Sequence, residues 1–153
     1  MAKKITQNEF ERVCAPGEVI VKEGQAGREM FIIRSGRVTI SKRVGERETE
    51  LAVLGKGDFF GEMSLLEGQP RDATARAVRE TKLLVIQPGG LLIRIRRDPT
   101  FAYEMLQKMS GRVRDLNAWV TRSLASGEGA KVPEATRTLV GFSAVLPAEE
   151  PSE

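Results

Sequence analysis

Between Phe60 and Ala75 the chain reads Phe-Gly-Glu-Met-Ser-Leu-Leu-Glu-Gly-Gln-Pro-Arg-Asp-Ala-Thr-Ala, which brings a glycine turn, a carboxylate and an arginine into one short excursion. That set can hold an anion. Gly57 and Gly61 let the backbone bend and approach a ligand closely. Glu62 to Leu66 reads as a short helix whose first N–H groups are free for an anion, and Arg71 supplies a planar fork that fits a phosphate. A carboxylate beside a phosphate repels it, so Glu62 belongs there only if the ligand also carries a neutral donor such as a sugar hydroxyl. The chemistry implied is a phosphate joined to a sugar.

The elements that must position this excursion are mostly strands. Glu18 to Val21, Met30 to Ile33, Val38 to Ser41, Glu50 to Leu54, Thr74 to Val78 and Lys82 to Ile86 are short β-branched or apolar runs. They are separated by Pro16-Gly17, Gly24, Gly27, Ser35-Gly36, Gly45 and Gly55-Lys56-Gly57-Asp58. Turn signals every 8 to 12 residues or so point to an all-β sandwich or barrel. Strand parity puts Arg71 on the side of Ala73, Ala75 and Ala77, and turns Asp72 away. Thr6 to Val13 is expected as a short helix, with Thr6 as N-cap and Glu9 at the capping-box position.

Two helices are expected after the last strand. Pro88 to Arg97 opens on a proline and mixes Leu91, Leu92, Ile93 and Ile95 with Arg94, Arg96 and Arg97. Asp98 and Pro99 then cap and open a longer helix to about Ala125. On it Ala102, Leu106, Met109, Val113, Leu116, Val120 and Ser123 recur at steps of four and three, a heptad seam suited to a second copy of the helix. Phe101, Met105 and Trp119 lie off the seam and suit a helix that also covers the strands. From Ser126 the chain has Gly127, Gly129, Pro133, Pro147 and Pro151, with Leu139 to Val145 as a modest apolar island, and is expected to be mostly disordered. The organisation expected is one domain over 1–125, with strands over about 16–87 and helices over about 88–125, and a tail over 126–153.

Composition removes several function classes. The 153 residues contain no histidine and one cysteine, Cys14. Histidine general bases, Ser-His triads, histidine metal clusters and internal disulfides are therefore unavailable, and an enzyme is not expected. Hydrophobic residues make up 41% and charged ones 29%. No apolar run approaches the roughly 18 residues of a membrane span, and no secretory leader follows Met1, so a cytoplasmic protein is expected. The net charge is +3. Residues 126–153 hold Lys131 and Arg137 against Glu128, Glu134, Glu149, Glu150 and Glu153, or 2 − 5 = −3, so the body carries 3 + 3 = +6. Such a body suits anionic ligands without arguing for nucleic acid.

Phe60-Gly61-Glu62-Met63-Ser64-Leu65-Leu66 and Pro70-Arg71-Asp72-Ala73-Thr74-Ala75 resemble the phosphate-binding cassette of cyclic nucleotide-binding domains, the family of the catabolite activator protein and the protein kinase A regulatory subunit. The likeness runs from Pro16-Gly17-Glu18-Val19-Ile20 through Glu23-Gly24 and Ser35-Gly36 to Asp98-Pro99, and covers roughly Pro16 to Ala125. It implies a mainly β fold, an eight-stranded jelly-roll-like β-roll, followed by a short and a long C-terminal helix. It implies that Gly61, Glu62 and Met63 meet a ribose, with Ser64 in the same cassette, and that Arg71 meets the cyclic phosphate with help from the N–H groups of Asp72 and Ala73. Ile40 and Leu51 match apolar positions beside the purine, and Leu116 and Asn117 match positions that can reach the base. The family's transcription factors carry a DNA-binding domain after the long helix, and the residues after Ser126 do not suit one, so DNA binding is not expected.

Two residues depart from the pattern. Asp72 stands where the family usually has alanine, serine or threonine, and a carboxylate about 4 Å from a phosphate costs on the order of 4 kcal/mol at an effective dielectric near 20. Leu116 cannot hydrogen-bond a base, whereas the Asn117 carboxamide can pair with adenine's N6 and N7 edge or with guanine donors. The first reading is a stand-alone sensor of a cyclic nucleotide, cAMP favoured over cGMP, that needs no cofactor and acts through a homodimer and an unidentified protein partner. The second is a degenerate domain that serves as a dimerisation scaffold. A basic surface through Arg94, Arg96 and Arg97 is a third, and such a run without aromatics is more often a solvated helix face.

Overall fold

The protein is described by a computed structural model over residues 5–126. Eight strands form two antiparallel four-stranded sheets. They are β1 (Glu9–Cys14), β2 (Val19–Val21), β3 (Met30–Ser35), β4 (Val38–Val44), β5 (Arg47–Leu54), β6 (Phe59–Phe60), β7 (Thr74–Ala77) and β8 (Thr81–Ile86). One sheet has the order β1-β8-β3-β6 and the other β2-β7-β4-β5. Helix α1 (Glu62–Glu67) interrupts the strands, and α2 (Gly90–Arg97) and α3 (Pro99–Ala125) follow them. The fold is the β-roll with C-terminal helices that the resemblance implied.

Alternation along the strands explains the layers. On β3 and β8, Phe31, Ile33, Leu83 and Val85 face the other sheet and join Val38, Ile40, Ala75 and Ala77 in a closed inner core. Their neighbours Met30, Ile32, Leu84 and Ile86 point the other way and pack with Phe59, Leu65, Leu91 and Met105 under the helices. The first sheet is thus apolar on both faces, so its outer face needs a cover. Phe101, Met105 and Met109 of α3 supply part of it. Met109 therefore serves the core rather than a seam. Leu106 remains 64% exposed, and Tyr103 and Leu124 are exposed as well.

Residues 6–13 do not form the expected helix. Asn8 takes a left-handed conformation, φ 64°, and Glu9–Cys14 pairs with all six residues of β8. The capping-box bond does form, since Glu9 Oε2 accepts the Thr6 N–H at 2.9 Å. It does not start a helix, because β8 needs an edge partner and tertiary pairing outweighs a local cap. The two-residue β6, too short to stand out as an apolar run, pairs its two phenylalanines with Phe31 and Ile32. The β4–β5 hairpin runs further than expected, through exposed residues to a turn at Gly45, φ 64°. Pro88 lies ahead of α2, which begins after Gly89 in the left-handed region. The apolar island at 139–145 and the rest of the tail lie outside the described residues.

The Glu9 side chain is fully buried and meets the almost fully buried Arg94 of α2. Arg94 Nη2 donates to Glu9 Oε2 at 2.7 Å and Nε donates to Oε1. Burial pushes the Glu9 carboxyl up, but the Arg94 and Thr6 hydrogen bonds outweigh it and hold the carboxyl below its ordinary value. We expect Glu9→Ala to cost about 3–5 kcal/mol, because it strands a buried guanidinium. Since the folded value is the lower one, this stabilisation is present above the ordinary carboxylate range and is lost as pH falls through the depressed value. Urea denaturation from pH 7 to pH 3 should show a steeper acid loss for wild type than for Glu9→Ala.

Candidate functional site

The irregular segment between β6 and β7 and the loop before β3 come together at two glycines, Gly61 and Gly27, where an added Cβ would crowd its neighbours. Gly61 has φ 81°, and a Cβ there would lie 2.9 Å from the Glu29 carbonyl and 3.0 Å from Arg71 Nη1. A Cβ on Gly27 would lie 2.8 Å from Arg71 Nη2. The Arg71 guanidinium is thus wedged between two backbones that only glycine allows to come so near. It is 5% exposed and donates from Nη1 to the Glu29 carbonyl at 2.7 Å and to the Gly61 carbonyl at 3.4 Å, and from Nη2 to Glu29 Oε2 at 3.0 Å. Three of its five donors are used. Burial draws its pKa down and Glu29 opposes that, so a second anion would be welcome here.

Glu62, the first residue of α1, is 3% exposed. Its nearest cation is Arg112 of α3, with Nη1 3.6 Å from Oε1. The pair is held from the other side. Arg112 Nη2 donates to the Phe59 carbonyl at 2.9 Å, and the guanidinium sits 4.3 Å from the Phe59 ring centroid. Burial raises the Glu62 carboxyl, Arg112 opposes the shift, and the Asp72 charge adds to it. Burial likewise lowers Arg112.

These groups border one cavity of about 60 Å³, lined by Ile40, Gly61, Glu62, Met63, Ser64, Arg71, Asp72 and Ala73 together with Val21, Leu54, Phe60 and Ala75. Eight of the eleven residues singled out from the sequence therefore meet around one space. Leu51, Leu116 and Asn117 do not line it. Leu51 is displaced by a β-bulge: Ile40 pairs with Ala52 and Ser41 with Glu50, so Leu51 is the extra residue. Leu54 takes the apolar place on β5. Asn117 is exposed on α3.

Asp72 is among the cavity residues, and strand parity does not decide its side chain, because Arg71 and Asp72 precede β7 and do not share its alternation. Ala75 and Ala77, which are on the strand, are buried as expected. Burial raises the Asp72 carboxyl, as do Glu67 and Glu23, against the pull of Lys42. Arg112 was missed altogether, although it continues the Phe101, Met105 and Lys108 stripe at helical spacing, off the seam. That off-seam position was the signal available in the sequence.

A family model described as the cyclic nucleotide-binding domain matches residues 11–98, or 88 of 153. The chain belongs to the cyclic nucleotide-binding domain family. It is 37% identical over 108 residues to the cyclic AMP receptor protein of Thermus thermophilus, covering 69% of this chain and 50% of that one. It is 36% identical over 102 residues to a putative potassium channel protein of Rhodopseudomonas palustris, covering 66% and 24%. The crystal structure of the Thermus thermophilus catabolite activator protein superposes with a TM-score of 0.66 at 34% identity, covering 78% of this chain and 55% of that one. The chain spans half or less of the length of these two curated relatives.

The raised Asp72 carboxyl gives a pH prediction for a phosphate ligand. A negative phosphate beside Asp72 favours the protonated acid further, so binding takes up a proton and affinity rises as pH falls into the window above the ordinary carboxylate value. Calorimetry with cAMP between pH 8 and pH 5 should show this gain in wild type. Asp72→Asn should bind more tightly at pH 8, by about tenfold or more, and should flatten the profile. An equal slope in both proteins would place the dependence elsewhere.

Proposed function

We propose that this chain is a cyclic-nucleotide sensor with no catalysis of its own, taking a purine 3′,5′-cyclic monophosphate into the cassette cavity and reporting occupancy through a protein interface. One observation carries this reading: Glu62 and Arg71, both almost fully buried, border the same cavity while each leans on a different partner. Arg71 retains donors for an anion, and Glu62 is an acceptor for a hydroxyl. A phosphate and a ribose hydroxyl in one ligand satisfy both. The preference for cAMP over cGMP leans on the cyclic AMP receptor named among the relatives, since Asn117 lies away from the cavity.

A coupling route supports the sensor part. Glu62 meets Arg112, and Arg112 is seated on Phe59, so a ligand hydroxyl that takes the Glu62 carboxylate competes with the contact that holds α3. The cavity is far smaller than the ~300–1,000 Å³ of sites that bury small ligands. On this reading a nucleotide entering the cavity shifts the elements around it, and its differential affinity for the two arrangements would set the size of the response. A second reading, a scaffold that binds no nucleotide, is favoured by an acidic residue, Asp72, among those that line the cavity and by the Glu29 partner that Arg71 already has.

Calorimetry separates the two. Arg71→Ala should weaken cAMP by tens- to thousands-fold, since loss of one partner of a buried charge pair costs about 2–5 kcal/mol. Glu62→Gln should weaken cAMP yet change little for its 2′-deoxy analogue, which isolates the hydroxyl bond. A wild-type protein that gives neither heat nor thermal stabilisation with millimolar cAMP or cGMP leaves the scaffold standing.

The dimer belongs to the same proposal. Leu106 is exposed and Val113, Leu116 and Val120 are half-buried along α3, an incompletely covered stripe on a 27-residue helix about 40 Å long. Glutamate at both Leu106 and Val113 should convert a dimer to a monomer in sedimentation without loss of strand signal in circular dichroism. A wild-type monomer at high concentration rejects the seam.

A further inference from the structure

We propose that a second cavity, on the far side of the β1-β8-β3-β6 sheet from the cassette, binds a small organic anion with an apolar body, such as a medium-chain or aromatic carboxylate. It measures about 550 Å³, within the ~300–1,000 Å³ of sites that bury small ligands. Its floor is apolar: Ile32 and Leu84 from the sheet, Phe59 from β6, and Phe101 and Met105 from α3. These are the side chains that seat the helices, and α3 does not close over all of them.

The charges around it are unevenly committed. Lys108 Nζ donates to Asp58 at 2.9 Å, and Arg94 is held by Glu9. The Arg34 and Lys56 residues line the cavity, and their side chains have no hydrogen-bond or ion-pair partner among the described residues. The Arg34 Nε is buried without an acceptor, a loss that native structures rarely leave uncompensated. Against these two cations stands one carboxylate on the wall, Glu104. Arg34 is the extra residue of a bulge in β3, since Ile33 pairs with Leu83 and Ser35 with Lys82, and the bulge leaves it on the same cavity wall as Ile32. The bulge thus sets a cation beside the apolar floor under α3.

An occupant with a carboxylate would supply the acceptor that Arg34 lacks and come within reach of Lys56, while its apolar part covered Ile32, Leu84 and Phe101. Inorganic phosphate would satisfy the cations and waste the floor, and an uncharged alcohol would do the reverse. The occupant would also touch Phe59, whose ring and carbonyl seat Arg112. The site is thus placed to bear on α3 independently of whether the cassette takes a nucleotide.

The full chain can be titrated with decanoate and 1-naphthoate, with decanol and inorganic phosphate as single-feature controls. Both carboxylates should raise the melting temperature and show saturable heat, whereas decanol and phosphate should bind at least tenfold more weakly. Arg34→Gln should weaken decanoate by about ten- to a hundredfold, the range of a charge-assisted hydrogen bond. Lys56→Gln, an exposed change that leaves the sheet alone, should weaken it by a smaller factor. Hydrogen exchange with decanoate present should slow at Ile32–Arg34 and Phe101–Lys108. Decanoate binding no better than decanol, unchanged affinity in both variants, or protection confined to Gly61–Ala73 would each overturn the proposal.

Discussion

Glu62 and Arg71 carry opposite charges, are both almost wholly out of water, and stand at the two ends of one short segment without touching each other. Were they paired directly, the segment would close on a salt bridge and there would be no cavity to line. Each instead has its own counter-ion on another element, Glu29 before β3 for Arg71 and Arg112 on α3 for Glu62. Removing a charge from water is tolerable only with such a partner, so the cassette can exist only in a molecule that brings those elements to it. The β-roll meets one requirement through the register that carries Glu29 to Gly61. The helical layer meets the other.

That division has a mechanical consequence. The Glu29 partner sits on the rigid two-sheet body, where Phe31 and Phe60 stack with ring centroids 4.9 Å apart. The Arg112 partner sits on a helix that packs through one stripe, Phe101, Met105 and Met109, and whose remaining length is half-buried or exposed. At 3.6 Å the Glu62–Arg112 contact is an ion pair without a direct hydrogen bond, and both groups are pushed toward neutrality by burial. It is therefore the weaker of the two attachments. On the sensor reading, a ligand competing for Glu62 would act at this weaker attachment, and α3 would be the element to respond.

Much of this was legible from residue types and spacing. The β-roll followed from turn signals between short apolar runs together with the cassette motif, and α3 was bounded correctly by Asp98-Pro99 and Ala125. Legibility failed where tertiary pairing decided the outcome. Glu9 looked like a capping-box residue and does accept the Thr6 N–H, yet a sheet edge and the buried Arg94 made its segment a strand. Leu51 failed for a local reason, a one-residue bulge that no periodicity in Leu51-Ala52-Val53-Leu54 could reveal. Arg112 was overlooked because a heptad pattern drew attention to the exposed stripe rather than to the stripe that meets the sheet.

Asp72 shows how far parity can be trusted. Alternation is a property of a strand with ladder partners, and β7 begins at Thr74. Arg71 bonds by its backbone to Gln25 and Gly24 across the turn, which fixes its inward aim without the help of alternation. Asp72 follows with no strand to send it outward, and it comes to rest beside the cavity with Glu23 and Glu67 near enough to raise its carboxyl and Lys42 near enough to lower it. A single unopposed carboxylate near that cavity would act simply as a repulsive charge. Placed near a lysine and with its carboxyl raised by burial, it is instead a group whose charge an incoming phosphate would change, so on the sensor reading proposed above the departure of the cassette from its family would show in how affinity responds to protons rather than in loss of the anion site.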